Sequence, residues 1–88
     1  MIPLRIVEQI SLIAKYADDC DDWVTIKKEI MKSIPSQMRK LFSRRDPITK
    51  EQLPNEFDLE VIQYYYEVTG IRLQIRTLDE RRKFTNSN

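Results

Sequence analysis

Residues 55–76 read "NEFDLEVIQYYYEVTGIRLQIR", and the spacing of apolar side chains changes inside that stretch. From Glu56 to Thr69 the pattern predicts a helix, with Asn55 as its N-cap. Phe57, Val61, Tyr64, Tyr65 and Val68 form one apolar face and Leu59, Ile62 and Tyr66 a second, which predicts a helix central to the fold. Gly70, the only glycine in the chain, stands where a helix end takes a left-handed residue. From Ile71 the period drops to two, with Ile71, Leu73 and Ile75 on one side and Arg72, Gln74 and Arg76 on the other. That alternation predicts a half-buried strand over residues 71–77. A lone strand leaves its backbone N–H and C=O groups unpaired, so it needs a ladder partner.

Four suppliers of that partner are open: the opening "MIPLRIV", a hairpin return through "RRKFT", the same strand of a second copy, or another protein. The reading favours an intramolecular pair with one edge left open. Ile71, Leu73 and Ile75 then cover the preceding helix, while Arg72 and Arg76 face water or a partner.

Upstream the chain reads as helices. Pro3 suits a first helical turn, and Ile6, Ile10, Ile13, Ala14 and Ala17 make a core-facing stripe for a helix over about Pro3 to Ala17. Alternation of Ile2, Leu4 and Ile6 leaves a short edge strand as the other reading of those first residues. After "DDCDD", Asp22 reads as the N-cap of a second helix to about Ser33, burying Trp23, Ile26, Ile30 and Ile34 with Val24 and Met31 flanking. Pro35 ends it. A short third helix, about Ser36 to Ser43, turns Met38, Leu41 and Phe42 inward and Arg39, Lys40, Arg44 and Arg45 outward. Asp46-Pro47 marks a turn or helix start, and Thr49 to Gln52 matches a capping box for one more helical turn. The fold class predicted is mainly α: a small bundle of about four helices with a short C-terminal β-strand or hairpin. Residues 1–84 form one compact domain in this reading, and residues 85–88 a frayed tail.

Net charge is only +1, but it is segregated along the chain. Residues 1–22 net −3, residues 23–50 net +6, residues 51–67 net −5 and residues 68–88 net +3. Such blocks are satisfied by packing acidic elements on basic ones, or they leave one basic face outward. No apolar run reaches the roughly 18 to 20 residues of a membrane span. The opening lacks a basic n-region and carries Glu8 and Gln9 within its apolar stretch, unlike a signal peptide. A single cysteine, Cys20, allows no internal disulfide framework, so the expected compartment is cytoplasmic, or nuclear in a eukaryotic cell.

With no histidine, Ser–His and Cys–His nucleophile pairs and most transition-metal sites drop out. Cys20 sits among Asp18, Asp19, Asp21 and Asp22, which disfavour the thiolate. One glycine makes no phosphate-cradling loop. Asp18, Cys20, Asp22 and Glu29 fall on a calcium-loop register, but Trp23 stands where the turn glycine belongs, and a solvated acidic helix start is the plainer account. The sequence therefore predicts no enzyme and implies no cofactor. The segments "IPLRIVEQI" and "DDWVTI" share residue types with the opening of F-box helices, yet Pro3 and Asp22 stand about one helical turn too far apart, and no family is assigned.

What remains is binding. The first expectation is a non-enzymatic module docking on another protein through Arg72, Gln74 and Arg76 of the strand, with Tyr66 as the tyrosine of "YYY" that reaches the surface. Small size without active-site chemistry suits a regulator, inhibitor or adaptor, such as phages and viruses encode. A homodimer through self-paired strands is a variant of the same idea. The alternative is a nucleic-acid-binding protein of winged-helix outline, using Arg39, Lys40, Arg44, Arg45 and Lys50 on phosphates with "RRK" at 81–83 as a second contact. Against it, the acidic helix before the strand would repel DNA.

Overall fold

The computed structural model describes residues 1–17, 19–44, 48 and 53–76. They form α1 (Leu4–Ala14), α2 (Trp23–Lys32), α3 (Ser36–Arg39) and α4 (Glu56–Thr69). The capping box predicted at Thr49 to Gln52, the "RRKFT" return and the frayed tail lie outside the described residues.

α1 starts immediately after Pro3, whose carbonyl accepts from Ile6 and Val7 N–H at 3.0 and 3.1 Å. The edge-strand reading of residues 2–6 therefore gives way to helix. Ile6, Ile10 and Ile13, spaced i, i+4, i+7, are buried against α2 and α4. Lys15 and Tyr16 donate to the carbonyls three residues back, which closes α1 before the predicted Ala17. α2 buries Trp23, Ile26 and Ile30, and Ile34 beyond its end joins the same core. Its N-terminus is held by Asp22, whose carboxylate accepts from Thr25 N–H at 3.0 Å and from Thr25 Oγ1 at 2.6 Å.

α3 is shorter than predicted. After Arg39 the chain continues in turns, with Leu41 donating to Met38 and Phe42 to Arg39. Three-residue spacing turns the side chains faster than an α-helix would. Phe42 reaches the core as expected, but Leu41 is 41% exposed rather than inward. α4 matches its predicted bounds, with a full capping box between Asn55 and Asp58 and Gly70 at φ 78°. It has one buried face, Asp58, Val61, Ile62 and Tyr65, and is not enclosed all round. Leu59, Tyr66 and Val68 are exposed, because among the described residues α1 and the segments near Phe42 and Leu73 pack on its opposite face.

The predicted strand does not form among the described residues. Residues 71–76 form no regular ladder and, among the described residues, make one isolated parallel bridge, Asp22 with Gln74. Trp23 N–H donates to Gln74 O at 3.0 Å, and Gln74 N–H to Asp21 O at 2.6 Å. Among the described residues the supplier of this rung is the acidic loop before α2, which was not among the suppliers the sequence suggested, and the opening "MIPLRIV" is not paired with this segment. Pairing stops there for a local reason. Trp23 already begins α2, and Cys20 N–H on the other flank is used by Ala17 O at 3.0 Å. Leu73 is buried and Ile71 packs on the core, whereas Ile75 is 39% exposed.

Among the described residues no helix is long and apolar enough to cross a membrane.

Candidate functional site

Four exposed cations, Lys28, Arg39, Lys40 and Arg44, meet on one groove. Val24, Lys27, Lys28 and Met31 follow an i, i+3, i+4, i+7 spacing, so they share one face of α2. Pro35 turns the chain, and α3 with its following turns returns across that face carrying Arg39, Lys40 and Arg44. Between them lies an open groove of about 440 Å³. Lys28, Arg39, Lys40 and Arg44 rim it, Val24 and Met31 supply apolar floor, and among the described residues no carboxylate lines it. Among the described residues none of these four cations forms an ion pair.

The back wall is held by a buried polar chain. Lys27 Nζ donates to Ser43 O at 2.5 Å and to Ser43 Oγ at 3.2 Å. Ser43 N–H donates to Asp58 Oδ1 at 3.1 Å, and its hydroxyl to Asp58 Oδ2. Asp58, fully buried, also accepts from Asn55 N–H at 3.2 Å, and Asn55 Nδ2 donates to Leu41 O at 3.0 Å. One aspartate therefore closes the α4 cap and pins the 41–43 segment against α2. Burial pushes the Lys27 ammonium below its ordinary range, and the negative charge of Asp58 partly opposes that. Phe42 lies beneath, 6.0 Å from Lys27 Nζ and edge-on to Phe57 at 5.0 Å. The groove wall is consequently fixed by core packing.

Arg39 is oriented as well: its Nε donates to Ile34 O at 3.2 Å, across the corner between α2 and α3. Lys32, at the groove's outer end, pairs with Glu29 at 2.9 Å. Of the cations proposed for phosphates, Arg39, Lys40 and Arg44 thus meet on this groove, while Arg45 and Lys50 lie outside the described residues.

The strand-face residues are arranged differently from the expectation. Arg76 does not face water: its Nη2 contacts both oxygens of Asp21 at 3.1 and 3.2 Å and its Nη1 reaches Asp22 at 3.3 Å. Its side chain is only 17% exposed. The two carboxylates hold the guanidinium even more firmly protonated than usual, against the opposing effect of its own burial. Asp21 and Asp22 are therefore occupied in closing the C-terminal segment onto α2, which also accounts for those members of "DDCDD" without a cation. Asp18 lies outside the described residues. Arg72 stacks over the exposed Tyr66 ring at 4.3 Å, and Gln74 Nε2 donates to Arg72 O at 3.2 Å. Tyr66, Arg72 and Gln74 form a small exposed cluster, and Arg76 stands apart from it on Asp21 and Asp22.

The sequence reading places Val24 and Met31 at the flank of the core, and Lys27 and Lys28 fall on the same face. Their common face was legible from spacing. That residues 39–44 fold back across it depends on the turn at Pro35 and on Asp58, more distant in the chain.

No family model, curated protein or solved structure matches this chain.

Proposed function

We propose that this chain is a non-enzymatic protein-binding module, a small regulator, inhibitor or adaptor that docks on a larger protein through the groove between α2 and α3. The observation that carries the reading is the groove itself: four cations that form no ion pair among the described residues, around an apolar floor, on a wall fixed by Lys27, Ser43 and Asp58. A rigid, charged concavity discriminates partners, since only complementary charge compensates for desolvating the rim. The strand-face surface has weaker support, because Arg76 is engaged by Asp21 and Asp22.

A second reading, nucleic-acid binding, is favoured by the convergence of Arg39, Lys40 and Arg44 on one side.

The test is retention of partners from source-cell extract on the immobilised chain, after nuclease treatment. Wild type is compared with a Lys28→Glu/Arg44→Glu variant and with Arg72→Glu. A protein held by wild type and Arg72→Glu but lost from the double variant supports the groove. Loss on Arg72→Glu alone would return the surface to the Tyr66 cluster. Material that disappears on nuclease treatment would favour nucleic acid.

A further inference from the structure

Resting on that reading, we infer that the occupant of the α2–α3 groove is an acidic amphipathic segment of the partner, which seats an apolar side chain over Val24 and Met31 while its carboxylates meet Lys28, Arg39, Lys40 and Arg44. Two features of the groove select this chemistry. First, the rim is cationic and no lining residue is acidic among the described residues, so a positively charged segment is repelled and an acidic one attracted. Second, the floor is aliphatic. A phosphodiester backbone has nothing to place against Val24 and Met31, whereas a leucine-like side chain gains by leaving water there.

The groove also lacks what single-stranded nucleic acid uses most. Base stacking needs aromatic rings presented at the surface, and among the described residues no aromatic side chain lines this groove. Phe42, the nearest ring, is buried beneath Lys27. The volume, about 440 Å³, suits a short stretch of side chains, within the roughly 300–1,000 Å³ of small-ligand pockets. Arg39 and Lys28 stand on different elements, so carboxylates on two successive turns of a bound helix are met from both sides.

The experiment is fluorescence anisotropy on the intact chain with three labelled probes of equal charge. One is a helical peptide of Glu with Leu along one face, the second has every Leu replaced by Ser, and the third is an oligothymidylate. The Glu/Leu peptide is expected to bind at least about tenfold more tightly than the Glu/Ser peptide, the factor that about 1.4 kcal/mol of apolar burial gives. Its binding is expected to be lost in Lys28→Glu/Arg44→Glu. Both of those side chains are exposed, and an unchanged thermal midpoint verifies that the variant is folded. Equal affinity for the two peptides, with both still lost in the double variant, overturns the amphipathic occupant and leaves the groove in place. Glu/Leu binding that survives the double variant overturns the groove as well. Tighter binding of the oligothymidylate, or no binding of the Glu/Leu peptide, also overturns the inference, the former in favour of phosphate recognition.

Discussion

Lys27 is a buried lysine on a helix whose other lysines are exposed, and its position follows from one acceptor. Ser43 O receives its ammonium, and Asp58 lies behind Ser43. Because burial lowers its pKa from 10.5, there is a pH window below 10.5 in which the folded chain has lost a proton that the unfolded chain retains. Unfolding takes up a proton there, so Lys27 makes stability rise with pH through that window. Tyr65 has the opposite sign: burial, and secondarily the charge of Cys20, raises its pKa above 10.0, so its contribution falls once the unfolded tyrosine ionises. Comparing wild type with Lys27→Met cancels the tyrosine. Urea unfolding from neutral pH upward is expected to show the stability difference moving in favour of wild type, and a pH-independent difference would contradict a depressed Lys27. Asp58→Ala leaves Ser43 N–H and Asn55 N–H without their acceptor and Lys27 without a countercharge. It should cost about 3 kcal/mol in the same assay; a loss below about 1 kcal/mol would show that the network is not what holds the 41–43 segment.

At the scale of elements, α4 and its ends were the most legible part of the sequence, since capping, apolar period and a single glycine agree. Gly70 is left-handed with open space where a Cβ would stand, so the cost of Gly70→Ala is conformational alone. About 1 kcal/mol or slightly more is expected, with Gly70→Asn recovering part of it, measured by thermal unfolding. Equal losses for Ala and Asn would point to some other cause. The segment after Gly70 was harder to read. Its alternation located Leu73 in the core, but alternation does not identify a ladder partner, and the one rung among the described residues depends on the carbonyl of Asp21 and the N–H of Trp23. Arg76 was expected outward because a strand alternates sides. It lies against the chain because Asp21 and Asp22, 55 and 54 residues earlier, converge on it. Likewise Leu41 was misplaced because the chain changes from α-helical to three-residue turns after Arg39, a change that no side-chain pattern announces.

For the whole molecule, segregated charge along the chain becomes a spatial arrangement of two kinds. The first acidic block meets a C-terminal arginine through Asp21, Asp22 and Arg76, so part of the charge is satisfied internally. The basic block 23–50 contributes Lys28, Arg39, Lys40 and Arg44 to the groove, where none has a described ion-pair partner. Sequence gave the sign and the helices; the meeting of α2 with residues 39–44 is a tertiary fact, held by Pro35 and the buried Asp58. The candidate site follows from that meeting. The most direct measurement is two-dimensional amide NMR of the isotope-labelled chain titrated with the Glu/Leu peptide. Shifts concentrated at Val24, Lys28, Met31 and residues 39–44 are predicted. Shifts concentrated instead at Tyr66, Arg72 and Gln74, with the groove unmoved, would contradict the account.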